Sequence, residues 1–234
     1  HQDLEKQLWI NEDEVPNNGR DDDGDGYVDN INGINPQSNN GDLTDNVGHG
    51  THVAGTIGAS PNDQGNHVGI AWNVRLLGVK GGEYGILRSA QLSGIDFAIS
   101  EGATVMNCSF GGYSYSQAMF EAIAAGGEAG IIFSCGSGND GSDIDTLTFY
   151  PAGYDLECVI SVAATDRRDE LAYFSNYGTV NVDLAAPGVE IYSTTSGAND
   201  AYEFSDGTSM ATPHVSGVLA LMRSAFAPAS EDSD

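Results

Sequence analysis

From about residue 49 onward the apolar positions come in two kinds of run. "VRLLGV" (74–79), "ATVMNCS" (103–109), "GIIFSCG" (130–136) and "CVISVAAT" (158–165) are short and almost continuously apolar. That is the pattern of strands covered on both faces. The intervening stretches have a longer period. "THVAGTIGA" (51–59) and "SQAMFEAIAAG" (116–126) predict helices, and "SAQLSGIDFAIS" (89–100) sets Leu92, Ile95 and Ile99 at helical spacing before a stop at Gly102. The last run, "TSMATPHVSGVLALMRSAF" (208–226), is apolar almost all round. It predicts a buried helix with Pro213 near its first turn, where proline costs least. Strands alternating with helices predict an α/β fold of three layers: a central, mainly parallel sheet with helices on both faces. There is no internal repeat and no interdomain linker, so residues 1–234 read as a single domain.

The segment 11–48 breaks this pattern. It is rich in Asn, Asp and Gly and reads as one long irregular stretch. Loops of this length in a compact domain are usually functional or ion-bound. Within it, "DDDGDGYVDNIN" has the D-x-D-x-D-G frame of calcium loops. In that frame Asp21, Asp23 and Asp25 stand at the first three ligand positions, with Gly26 at the turn. The Tyr27 carbonyl, Asp29 and Asn32 fill the remaining positions. The last of these lacks the bidentate Glu of an EF-hand, and no flanking helices are evident, so only the loop is expected. A structural calcium ion is the expected cofactor; a solvated acidic turn is the alternative.

Charge sharpens the picture. Thirty-four acids face eight bases, a formal net charge of −26. Such a surface repels nucleic acid and anionic membranes. It suits a secreted, solvated protein or a cation binder. Three cysteines (Cys108, Cys135 and Cys158) are too few and too scattered for a disulfide framework or a zinc site. Buried thiols are expected, with one bridged pair left open. No run approaches the roughly 18 apolar residues of a membrane span. The opening "HQDLEKQLWI" has no basic or apolar region of a signal peptide, which a secreted protein would already have lost.

The candidate chemistry lies where strands end. "SFGG" (109–112), "GSGNDG" (136–141) and "SDGTSMA" (205–211) follow strands or open helices, and would meet at one rim of the sheet. Ser209 begins a buried helix, where free N–H groups favour a developing oxyanion. A serine nucleophile needs an adjacent base. Taken alone, Ser209 or Thr208 could be no more than an N-cap. Asn139 could donate its amide to an oxyanion, or simply make a turn. His49 and His52 lie three apart in "DNVGHGTHVAGT". The leading residue, His49, is the one placed for base catalysis. His52, and likewise His214, is expected to pack internally.

Together "HGTHVAGT", "NCSFGG", "SGNDG" and "GTSMATPHVSG" closely resemble the subtilisin-like serine proteases, or subtilases, in sequence, order and spacing. The resemblance runs over nearly the whole chain. It implies a serine endopeptidase acting on polypeptides through an acyl-enzyme, in the Asp–His–Ser chain order established for subtilisin. Ser209 matches the nucleophile, His49 the general base and Asn139 the oxyanion donor, with the Ser209 N–H as second donor. Ser109, Phe110 and Gly111 match the strand that pairs with substrate backbone. Tyr84, Gly85 and Ile86 would form the facing rim. Gly138 would line the primary specificity pocket, and Phe149 stands at its floor, where a bulky ring favours small or medium P1 side chains. Calcium is common in the family, and "NDQGN" (62–66) resembles the region of another of its calcium sites. The resemblance also implies a monomer and an N-terminal propeptide.

One element of the family pattern is missing. The triad Asp belongs to a "D-[TS]-G" motif that these residues do not contain, and "HQDL" resembles the segment just after it. The sequence therefore reads as a subtilisin-like domain cut short at both ends, without its Asp-bearing strand and its last helices. Such a segment alone is expected to be inactive and unstable. Asp45, four residues before His49, is not expected to substitute. A non-catalytic homologue that binds peptides or serves as a scaffold is the alternative function.

Overall fold

The computed structural model describes residues 1–61, 67–82 and 85–226. In chain order the elements are β1 (Gly33–Ile34), α1 (His49–Gly58), β2 (Gly78–Val79), α2 (Arg88–Ser100) and β3 (Val105–Cys108). There follow α3 (Gln117–Glu128), β4 (Ile132–Gly136), β5 (Val159–Thr165), β6 (Leu184–Pro187), β7 (Ile191–Thr194), β8 (Tyr202–Ser205) and α4 (Thr208–Phe226). Strands β3, β4, β5 and β6 form a parallel sheet in that spatial order. The expected α/β architecture, with helices on both faces, is what forms.

The alternation within each strand shows why. In β4, Phe133 and Cys135 join Ile95, Ala98, Met119 and Ile123 of α2 and α3 in one core. Ile132 points the other way, into a second core with Val162, Ala164, Ala211, Val215 and Leu219 beneath α4. A strand buried on both faces cannot alternate apolar with polar, hence its continuous apolar run. All three cysteines are free thiols; Cys108 and Cys135 sit opposite each other in the β3–β4 register and are buried. Burial pushes the Cys135 thiol well up. No helix among the described residues is long and apolar enough to cross a membrane.

The sheet comes in two pieces. β1 and β2 pair in parallel, separately from the four-stranded sheet. The N–H groups of Leu76, Gly78 and Lys80 donate to Gln7, Asn32 and Ile34, all from the same edge of that segment. Among the described residues its opposite edge has no strand partner, and neither has the edge of β3 that faces away from β4. Val105, Met106 and Asn107 are accordingly only half-buried, although their sequence is that of an interior strand.

Four elements, β1, β6, β7 and β8, are absent from the apolar pattern; β1 lies within the stretch expected to be irregular. β6 reads Leu-Ala-Ala-Pro, weak strand formers on a sheet edge where a proline is tolerated. β7 and β8 form an antiparallel hairpin whose Tyr192 and Phe204 rings meet on the exposed face, 5.0 Å apart. α1 begins at His49, two residues before the predicted start, which makes His49 its first helical residue.

Candidate active site

Ser209 is the second residue of α4. Its carbonyl accepts a hydrogen bond from Ser109 Oγ at 2.8 Å, and its hydroxyl donates to the Ser109 carbonyl at 3.3 Å. Asn107 Nδ2 donates to Ser109 Oγ (3.0 Å), and Ser216 Oγ donates to Asn107 Oδ1 (2.9 Å). These bonds tie the first turns of α4 to the carboxyl end of β3.

Asn139 follows β4. Its Oδ1 accepts from the Thr208 N–H at 2.8 Å and from Thr208 Oγ1 at 3.0 Å, which leaves the amide nitrogen as the free end. The Ser209 N–H, in the first helical turn, has no acceptor among the described residues. A Cβ built on Gly207 would lie 3.5 Å from Ser209 N and 3.6 Å from Asn139 Nδ2. Two unspent donors therefore converge on one small space, kept open by the missing side chain of Gly207 (φ 148°). This is the geometry of an oxyanion site.

α1 packs on α4 and presents His49 at its exposed first position. Among the described residues no hydrogen bond reaches the His49 ring, and none joins it to the Ser209 hydroxyl. Desolvation by the surrounding protein lowers its pKa, against the Asp45 carboxylate, which raises it. A neutral imidazole, able to accept a proton, is thereby favoured. Asp45 itself is spent on the helix start. Its Oδ1 accepts from the N–H groups of Val47 and Gly48, and its Oδ2 from the N–H and hydroxyl of Thr51. It sits as an anion at a helix N-terminus, not as an orienting carboxylate behind the histidine. His52 is 1% exposed, with Nε2 3.0 Å from the Ile191 carbonyl oxygen. His214 Nδ1 lies 2.8 Å from the Met210 carbonyl oxygen of its own helix.

The segments 109–111 and 136–138 run side by side beyond β3 and β4, with the Phe149 ring between them. A Cβ on Gly111 would collide with Phe149 Cε1, and one on Gly138 would come within 3.0 Å of Cε2. Gly138 (φ 104°) is also pressed against the Asn176 amide, so no other residue fits there. Tyr113 meets Phe149 edge-on at 5.1 Å and donates its hydroxyl to Asp140 at 2.7 Å. Beside it, Phe110 and Gly111 face Ile86, Arg88 and Tyr150 across a cleft of about 270 Å³. Gly85 lines an adjoining hollow; Tyr84 and the stretch 62–66 lie outside the described residues.

The model of the subtilase family matches residues 1–233. The chain is a subtilase. It is 42% identical over 190 residues to subtilisin DY of Bacillus licheniformis, covering 78% of this chain and 66% of that protein. It is 41% identical over 191 residues to the major intracellular serine protease of Bacillus subtilis strain 168, covering 78% of this chain and 57% of that one. A solved cold adapted subtilisin-like serine proteinase superposes with a TM-score of 0.71 at 33% identity, covering 92% of this chain and 73% of the other. A protease from Pseudoalteromonas arctica gives 0.69 at 34%, covering 76% of this chain and 58% of the other. The subtilase chain thus spans about two thirds or less of these curated relatives.

The calcium-type residues are only partly gathered. Asp21 and Asp23 lie together, whereas Asp25 accepts from the Tyr27 N–H and from the Asn30 amide. Asp29 is turned to the N–H groups of Asn18 and Gly19, and Asn32 donates to the Trp9 carbonyl. Asp21 is held in the same manner as Asp29, its two oxygens accepting from the Gly24 and Gly26 N–H groups, while Asn32 uses only its amide nitrogen in its bond.

Asp45 also supplies a pH prediction. Its charge raises the pKa of His49, so Asp45→Asn lowers that pKa further. The acidic limb of kcat/KM in the intact protein should then move to lower pH; a shift upward, or none, would count against this assignment. The same change removes an acceptor from the helix start and should cost about 1 kcal/mol of stability, read as a lower Tm.

Proposed function

We propose that this chain is the catalytic core of a serine endopeptidase that cleaves polypeptides through an acyl-enzyme. The convergence of the Asn139 amide and the Ser209 N–H on the space at Gly207 carries the reading, because a module that only binds or scaffolds has no use for it. Ser209 Oγ attacks the scissile carbonyl carbon while His49 takes its proton, and the carbonyl oxygen becomes an oxyanion held by the two donors. On collapse the C–N bond breaks, and His49 returns the proton to the leaving amine. Water activated by His49 then hydrolyses the acyl ester and regenerates Ser209.

His49 needs an orienting carboxylate, and no described residue serves. We propose that an acid on a further strand, seated between the open edges of β2 and β3, provides it. Such a strand would satisfy the unpaired backbone on both edges and would end at the rim where Ser109 and Asn139 lie. An extracellular place of action is supported by the strongly acidic composition.

The reading is tested by treating the intact protein with a fluorophosphonate. Covalent labelling of Ser209, lost after His49→Ala, is expected. An unlabelled Ser209 in a folded, intact protein would favour a non-catalytic homologue.

For the substrate, the ring of Phe149 lies against both Gly111 and Gly138 and favours small or medium side chains at P1. Peptide-library cleavage should be dominated by such residues at that position. Phe149→Gly should raise kcat/KM for Leu or Phe at P1, relative to Ala, by about 10- to 200-fold. A wild-type profile led by Phe or Tyr would overturn this.

A further inference from the structure

The cleft beside the Phe149 ring holds a charge that the chemistry at Ser209 does not use. Arg88 lines it opposite Phe110 and Gly111, with Ile86 and Tyr150 as apolar walls, and no acid is among its lining residues. Arg88 Nη1 donates to Gln91 Oε1 at 3.2 Å on the same helix. Among the described residues its Nε and Nη2 have no acceptor, and no carboxylate pairs with it, although the chain carries 34 acids. Arg168, by contrast, pairs with both Asp166 and Glu170. Nor does the helix call for a cation here. Arg88 is the first residue of α2, whose first turn has no acid. A positive charge at that end opposes the helix dipole and costs stability. A residue in conflict with its local structure, and without a partner to offset the conflict, marks a functional position.

The cleft lies along the path of a peptide. The Ser109 carbonyl accepts from the Ser209 hydroxyl, so the substrate-pairing segment begins at the nucleophile. From Ser109 to Gly111 it leads away from Ser209 and past the Phe149 ring that bounds P1. Gly112 ends it, because its N–H and carbonyl are taken by Tyr150 at 2.8 and 2.7 Å. P1 lies on the amino side of the scissile bond, so a peptide continuing in this direction presents the preceding residues, P2 to P4. At about 3.3 Å of rise per extended residue, these are the side chains within reach of the cleft. On the reading of this chain as a peptidase, we propose that Arg88 is a specificity residue, and that the cleft takes an aspartate or glutamate of the substrate upstream of P1. The Nε–Nη2 edge of a guanidinium is a fork that a carboxylate meets with two parallel hydrogen bonds. The bond to Gln91 uses the third nitrogen and steadies that fork. Ile86, itself exposed, and Phe110 offer contact to the methylenes of the acid. The net charge of −26 repels an acidic peptide at long range, but this is largely screened beyond about 8 Å at physiological ionic strength, so the contact with Arg88 decides.

The test measures cleavage by the intact wild type and peptide binding by intact Ser209→Ala, so that one arm does not depend on turnover. Labelled peptides with Ala at P1 carry Glu, Gln or Lys at P2, P3 or P4 in turn; fluorescence anisotropy gives Kd. At one of these positions Glu should be favoured over Lys by about tenfold, in Kd and in kcat/KM. Arg88→Gln should bring that ratio close to one, and Arg88→Glu should reverse it in favour of Lys. Because Arg88→Gln relieves the helix dipole, its Tm should be no lower than that of its parent. Should it nonetheless fail to fold, Arg88→Lys takes its place: it keeps the charge without the fork, so the ratio should fall, and an unchanged ratio is decisive against. A Glu-to-Lys ratio near one at all three positions, a preference that survives Arg88→Gln, or peptides that neither bind nor are cleaved overturn the proposal. The peptidase reading stands or falls separately: a Ser209 that takes no fluorophosphonate while Ser209→Ala still prefers Glu removes the reaction and keeps the selectivity of the cleft, and a labelled Ser209 without the preference does the reverse.

Discussion

Replacing Ser209 with Ala in the intact protein should lower kcat by a factor on the order of 10⁶, a magnitude taken from subtilisin mutagenesis rather than from this geometry. His49→Ala should cost about as much, and the double variant little more, because nucleophile and base act as one unit. The physical reason lies in the hydroxyl itself. In the resting structure Ser209 Oγ donates to the Ser109 carbonyl at 3.3 Å, a long bond to a neutral acceptor. It must turn from that carbonyl and give its proton to a base before it can attack. Without His49 no described side chain is placed to take it. The loss should be purely kinetic. Removing one weak hydrogen bond at a half-buried hydroxyl costs about 1 kcal/mol or less, so the Tm of Ser209→Ala should stay close to wild type. Residual turnover should persist, since the oxyanion donors survive both substitutions. Activity retained within tenfold in Ser209→Ala, measured on a peptide substrate with the melting curve as control, would remove Ser209 from the mechanism.

The parts of the fold that show in the sequence are those where one physical demand acts alone. β4 and β5 are buried on both faces, so apolar or small side chains fill them, Ser134 and Ser161 among them, and their runs are nearly continuous. α4 is buried beneath the sheet only over its first part, to Leu219; Val218, Leu221, Met222 and Phe226 are exposed, so its all-round apolar pattern overstates its burial. β6 fails to show because it is short, at an edge, and made of Ala and Pro. The β7–β8 hairpin is exposed on one face and interrupted by a polar turn, so its period is too brief to read. The split of the sheet is a further case: the edge of β3 carries an interior-type sequence, yet among the described residues that side has no strand neighbour.

The site divides in the same way. Ser209, His49 and Asn139 were legible because their surrounding motifs are family signatures. Thr208 and Gly207 were not, because each acts through a contact that spacing does not encode. Thr208 sits beside the nucleophile, but its partner is 69 residues away on the β4 loop. Asp29 is turned to the N–H groups of Asn18 and Gly19, and Asp21 to those of Gly24 and Gly26, contacts that residue spacing alone does not show.

Asn139→Ala should lower kcat by about 10² to 10³ with little change in KM, again the magnitude known for a subtilisin oxyanion donor. The structure adds a second route to the same loss. Thr208 holds Asn139 by its carbonyl end through two hydrogen bonds, so Thr208→Val, which keeps the N–H but deletes the hydroxyl, should loosen the amide without removing it. A fall in kcat smaller than that of Asn139→Ala is expected. A lower Tm should accompany it, because Gly138 N–H, which donates to Thr208 Oγ1 at 3.3 Å, is then buried without a partner at a cost of about 1–3 kcal/mol. Gly207→Ala tests the space directly. Its methyl group would stand 3.5 Å from Ser209 N and 3.6 Å from Asn139 Nδ2, where the oxyanion must enter. It should match or exceed the loss of Asn139→Ala, while the Asn139→Ala, Gly207→Ala double variant should fall little further, since a blocked site has no use for its donor. Ser209 should still take up a fluorophosphonate more slowly than wild type in each variant, in proportion to its loss of kcat. If Gly207→Ala instead keeps wild-type kcat with an unchanged fold, the two donors do not share a site, and the oxyanion is held elsewhere.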